Sequence, residues 1–149
     1  MRISFDIDGL LVGPDFKTEA KRWKILGGFS ESLRLGTRTL FQELTRQGHE
    51  VCIYTTSLRS EFRIRRWLWI HGLTVGQVIN GARHANEAPR SLHTRTPSKY
   101  PPAFNIDFHV DDSPGVLLEG KDHGFAVLVI EPTDSAWVQH VLDAVQLRN

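Results

Sequence analysis

The first hydrophobic segment of the chain is brief: Ile3 to Phe5 stops at Asp6, the pattern of a central strand buried on both faces. Leu11 to Gly28 is broken by Gly13, Pro14, Gly27 and Gly28 with charges between them, which predicts a loop or small flap. Ser30 then reads as an N-cap, Leu33, Thr37, Leu40, Phe41 and Leu44 recur at helical spacing, and Gly48 is a stop, so a helix is expected there. Glu50 to Tyr54 predicts a second strand that runs into Thr55, Thr56 and Ser57. Glu61 to His71 predicts a helix closed by Gly72, and Val75 to Ile79 a short third strand. Asn80 to Pro102 is rich in Pro, Arg and His without a period; it is long for an unstructured connection and is therefore a candidate functional segment. Ile106 to Val110 leads into Asp111 and Asp112, and Phe125 to Ile130 is another apolar strand. Asp134 is read as the cap of a last helix with Val138, Val141, Leu142 and Val145 on one face.

Strands alternating with helices imply an α/β fold: a three-layer, Rossmann-like, mostly parallel sheet with helices on both faces, in a single domain over residues 1–149. Such sheets carry chemistry at the C-terminal ends of their strands. The polar clusters after Phe5, Tyr54 and Val110 all fall at such ends.

Composition narrows the function classes. Eighteen Lys and Arg stand against 17 Asp and Glu, a net charge of +1, which offers no broad field and argues against a nucleic-acid partner or an anionic membrane. No signal-like start and no run of roughly 20 apolar residues is present, so a cytoplasmic protein without a membrane anchor is expected. The lone Cys52 sits between Val51 and Ile53 and reads as packing.

Asp6 and Asp8 flank Ile7 and share a face where the strand opens; Asp111 and Asp112 add two more carboxylates. Gathered at one pocket they would repel, so a counter-ion is expected. A hard divalent cation, Mg²⁺ above others, suits oxygen ligands and phosphate.

The order FDIDG, IYTTS, PSKYPP, HVDDS resembles the haloacid dehalogenase superfamily of phosphatases and phosphotransferases, whose four motifs fall in this order on a Rossmann-like sheet. The resemblance implies a Mg²⁺-dependent phosphate monoester hydrolase. Asp6 would be the nucleophile that forms an aspartyl-phosphate, and Asp8 the acid and then the base. Thr55 would hydrogen-bond the phosphoryl oxygens, with the backbone N–H of Thr56 as a neighbouring substrate contact. Lys99 would offset the charge of the transferring group, with Lys121 as its competitor. The resemblance also implies that Mg²⁺ is held by the Asp6 side chain, the Asp8 carbonyl and Asp112, while Asp111 binds it through water or orients Lys99. Two departures stand out: Leu10 replaces the Thr that often follows the motif glycine, and no inserted cap is visible. A capless site takes its specificity from loops, from a neighbouring subunit in a homo-oligomer or from a large phosphorylated substrate. The alternatives are a non-catalytic binding or scaffold protein on the same fold, and a phosphatase for nucleic-acid or protein phosphate.

Arg59, Arg63 and Arg66 recur at helical spacing after the second motif. With Trp67 and Trp69 nearby they could form a phosphate or nucleic-acid face; against that, Phe62, Ile64, Trp67, Leu68 and Ile70 are enough to pack that helix, so a solvated basic face is preferred, with Arg59 placed to contact the distal part of a substrate. His84, His93, His109 and His123 show no paired ligand spacing and read as dispersed residues; His109 is the exception to watch because it immediately precedes the fourth motif, though alternation points it away from Asp112.

Overall fold

A computed structural model describes residues 1–19, 31–89 and 96–148. Five strands, β1 (Arg2–Phe5), β2 (Glu50–Tyr54), β3 (Val78–Ile79), β4 (Phe108–Asp111) and β5 (Val127–Val129), form one all-parallel sheet in the order β3-β2-β1-β4-β5. Five α-helices lie among the described residues: α1 (Thr37–Arg46), α2 (Glu61–Ile70), α3 (Gly81–Glu87), α4 (Pro114–His123) and α5 (Trp137–Gln146). The fold is α/β and Rossmann-like. The connections run outward from β1 to β3, then return across the sheet to β4 and β5, so right-handed crossovers put α1 and α2 on one face and α4 on the other. The direction reverses between β1 and β4, and that reversal opens a crevice at the strand ends.

The two faces of the sheet differ in chemistry. Ile3 and Phe5 of β1, Val51 and Ile53 of β2, and Phe108 and Val110 of β4 join one apolar core with α1, α2 and α5, in which Phe5 meets Phe41 at a centroid distance of 4.8 Å. The alternate residues Ser4, Tyr54, His109 and Asp111 point the other way, as the two-residue period of a strand requires. There the apolar packing is a smaller cluster around Tyr54, Ile79, Phe104 and Ile106. The face that carries polar groups is thus the thinly packed one.

Several sequence expectations are corrected. The helix expected from Ser30 begins at Thr37, and Ser30 itself lies outside the described residues, as do His93 and the Ala20–Gly28 part of the flap. Gly36 at φ +92° cannot continue a helix, so Leu33 is buried from a loop. The cap comes from upstream: Glu19 Oε1 accepts the backbone N–H groups of Gly36 and Arg38, each at 3.2 Å. The Asn80–Pro102 segment contains α3, capped by Asn80 Oδ1 accepting from Arg83 N–H at 2.9 Å, and a 3₁₀ turn at Pro101–Phe104. No residue of α3 is buried, so no apolar period announces it. Helix α4 was not foreseen; Pro114 starts it, but Gly115 and Gly120 interrupt its pattern. The last helix starts at Trp137, with Asp134 Oδ1 holding Ala136 N–H at 2.9 Å just before it.

Candidate active site

Asp6, at the end of central strand β1, faces Asp111 and Asp112 across the crevice beside β4. Ligand oxygens of these three carboxylates lie within 4.8 Å of one another. Lys99 enters from the segment before the 3₁₀ turn and is 2% exposed. Its Nζ lies 3.0 Å from Asp6 Oδ2 and 2.5 Å from Asp111 Oδ2. Both neighbours of Lys99 are anchored. Ser98 N–H and Oγ–H donate to the Glu119 carboxylate on α4, and Tyr100 N–H donates to Tyr54 Oη at 2.8 Å. Lys121 instead lies exposed in the last turn of α4.

Beneath Lys99 runs a buried polar chain. Ser4 and His109 are register partners on β1 and β4, and Ser4 Oγ lies 2.8 Å from His109 Nδ1. His109 Nε2 lies 2.8 Å from Asp111 Oδ2. Burial pushes the imidazole below its ordinary pKa, against the pull of Asp111, so the ring is neutral. An ionised carboxylate only accepts, which assigns the proton to Nε2 and leaves Nδ1 to accept the Ser4 hydroxyl. Burial alone would raise the Asp111 carboxyl, but the His109 hydrogen bond and the Lys99 charge outweigh it and hold the group well below the usual range. Its second oxygen, Oδ1, accepts Ser113 N–H at 2.9 Å. Asp111 is therefore spent on protein partners and orients Lys99.

Asp6 and Asp112 move the other way. Burial raises Asp6 despite Lys99, and burial followed by the Asp111 charge raises Asp112. Asp6 Oδ1 is buried and has no hydrogen-bond partner among the described residues. Three carboxylates against one ammonium leave two negative charges, which one divalent cation would neutralise. The all-oxygen donor set and the orphaned Oδ1 fit a hard cation, with Asp6 Oδ1 and Asp112 as the side-chain donors. Gly9 makes room for the second: at φ +89°, a Cβ there would lie 2.1 Å from Asp112 Oδ2.

Asp8 is separated from this cluster and half exposed. Arg59 Nη1 donates to both of its oxygens, at 3.0 and 2.7 Å, and Nη2 reaches Glu31 at 3.3 Å. Leu10 faces away from the site into the apolar core, so Asp8 takes its orientation from Arg59 and not from a polar neighbour at position 10. Thr55 is buried at the end of β2, where its Oγ1 accepts Ser57 N–H at 3.1 Å. Thr56 is exposed, and its carbonyl packs against Gly81 at the start of α3.

The structure thus brings together Asp6, Lys99, Asp111 and Asp112, and pairs Asp8 with Arg59. Ser4 was missed, and His109 was singled out by its place before the fourth motif but given no role. The readable signal was a polar residue inside each of two apolar strands, at the same distance before Asp6 and Asp111. Compared with known proteins, the chain matches no family, no curated protein and no solved structure.

Proposed function

We propose that the protein is a divalent-cation-dependent phosphate monoester hydrolase of haloacid dehalogenase type that works through an aspartyl-phosphate on Asp6. The observation that supports it is the division of labour around Asp6: Lys99 holds Oδ2, while Oδ1, beside Asp112, is left without a partner among the described residues. A purely structural carboxylate at this burial would have both oxygens satisfied.

Asp6 Oδ1, Asp112 and the Asp8 main-chain carbonyl would hold Mg²⁺, which when bound withdraws charge from the phosphoryl oxygens. A carboxylate oxygen of Asp6 attacks phosphorus, the ester P–O bond breaks, and Asp8 gives its proton to the departing oxygen. Water then attacks the same phosphorus and yields its proton to Asp8, and the bond from Asp6 to phosphorus breaks to release phosphate. Lys99, fixed by Asp111, balances the charge that builds on Asp6 and the transferring group. Thr55 and the Thr56 N–H steady the phosphoryl oxygens. To serve as donor Asp8 exchanges Arg59 for the ester oxygen, which frees Arg59 for an anionic part of the substrate.

The test is phosphate release from an aryl phosphate with Mg²⁺ or with EDTA. Turnover that needs Mg²⁺ and vanishes in Asp6→Asn is expected. If wild type is as inert as Asp6→Asn over a broad ester panel, the fold serves as a non-catalytic binding protein.

A further inference from the structure

Large apolar side chains on and just before helix α2 face outward. Phe62 is 74% exposed and Trp69 67%, with Leu58, just before Arg59, at 81%. Phe62, Arg66 and Trp69 are spaced i, i+4, i+7 and form one stripe. A groove of about 510 Å³ separates this stripe from Leu73 and Val75. Arg65 builds its wall and is not free to bind: Nε pairs with Glu61 at 2.7 Å, and Nη1 and Nη2 donate to the carbonyls of Val75 and Gly76. Arg66 is exposed, without an ion pair among the described residues.

Two flat aromatic rings bracketing an arginine call for an anionic partner with flat apolar parts. Arg65 and Glu61 offset one another, and Arg66 between the rings supplies the charge of the stripe, so its complement is negative. A second copy does not satisfy it. Antiparallel pairing of two α2 helices that sets Phe62 on Trp69 also sets Arg65 of each copy across the two-fold axis from Arg66 of the other, a like-charge contact. The rings stand roughly 10 Å apart along the helix axis, a span of a few nucleotides. The stripe also begins three residues from Arg59, which touches Asp8.

We propose that this face of α2 binds single-stranded nucleic acid, with bases stacked on Phe62 and Trp69 and the backbone phosphates on Arg66. The strand runs toward Arg59 and presents its phosphorylated end to Asp6. Only that last statement rests on the phosphatase reading; the binding itself does not. The near-neutral total charge is no obstacle, because the charge that matters is local to one helix.

The test is fluorescence anisotropy of a labelled oligothymidylate titrated with the full chain in EDTA and low salt, so that no turnover intervenes. Binding is expected whose log–log salt slope is about −0.7 per phosphate contacted. Phe62→Ala and Trp69→Ala should each weaken it about fivefold or more, and Arg66→Gln should make the slope shallower by about 0.7. These side chains are exposed, so the variants keep the wild-type melting temperature. Absence of binding overturns the proposal, and so does binding indifferent to Trp69→Ala. Polyglutamate competing as well as oligothymidylate also overturns it, in favour of an acidic protein partner. Binding without turnover on any ester would fail the phosphatase reading alone, and turnover without binding would fail this surface alone.

Discussion

His109 Nε2 and Lys99 Nζ converge on one oxygen of Asp111, at 2.8 and 2.5 Å, so a neutral imidazole and an ammonium share the carboxylate that aims the lysine at Asp6. The imidazole is fixed in turn by Ser4, its register partner. Since Lys99 has its two carboxylates on different strands, the direction of its charge depends on Asp111 not rotating. Two donors on Oδ2 and one on Oδ1 prevent that rotation.

His109→Leu removes the donor while keeping an apolar body against Tyr54, whose ring lies 5.7 Å away. Turnover on an aryl phosphate should fall about 10- to 100-fold with little change in KM, as for other residues that orient a charged group. His109→Gln, which carries an amide N–H near the Nε2 position, should recover most of the loss. Equal losses in both variants, with equal melting temperatures, would remove His109 from the positioning chain.

Carboxylates raised by burial predict how the cation couples to stability. Asp6 and Asp112 bind protons more tightly folded than unfolded, so their contribution falls as pH rises from about 3.9 through their higher folded values. A bound cation removes that cost. Millimolar Mg²⁺ should therefore raise the melting temperature more at pH 7 than at pH 5, and Asp112→Asn in EDTA at pH 7 should melt above wild type and show no Mg²⁺ shift. A differential-scanning series over both pH values decides it.

The parts of this architecture legible in the sequence are those whose signal is local. Apolar runs ending in Phe5, Tyr54 and Val110 located β1, β2 and β4, and the polar residues just beyond them fall together at the strand ends, because a parallel sheet collects those ends on one edge. What was not legible depends on partners distant in sequence. Ser4 and His109 are 105 residues apart and become a pair only through the β1–β4 register. The start of α1 was misplaced because its cap, Glu19, belongs to another segment. Phe62 was expected in the core because its spacing allows it, yet Ile64, Trp67 and Leu68 already fill the buried face of α2. Leu10, a departure from the motif, is explained by its burial in the core.

Buried histidines set a separate acid sensitivity. His71, whose Nδ1 has no hydrogen-bond partner among the described residues, is pushed below its ordinary pKa, mainly by burial. A base depressed in the folded state takes up its proton first in the unfolded chain, so its contribution is lost as pH falls below about 6.5 toward the folded value. His71→Phe keeps a ring against Trp67, 5.8 Å away between centroids. Its melting temperature should decline less than that of wild type between pH 7 and pH 5; parallel declines would show that His71 does not titrate on unfolding.

Gly9 and Gly48 separate the cost of a backbone conformation from the cost of crowding the site. Both are left-handed, at φ +89° and +83°, so replacement by Ala strains each by about 1–2 kcal/mol. Around Gly48 an added Cβ meets nothing within 4 Å among the described residues, whereas at Gly9 it would strike the Asp112 carboxylate. Gly48→Ala should lower the melting temperature and leave turnover and the Mg²⁺ shift intact. Gly9→Ala should show a comparable or larger loss of stability together with loss of the Mg²⁺ shift and of most turnover, because Asp112 can no longer lie over the β1 turn. Identical behaviour of the two variants in the Mg²⁺ titration would mean that Asp112 does not hold the cation, and the ligand set would have to be rebuilt around Asp6 and Asp8.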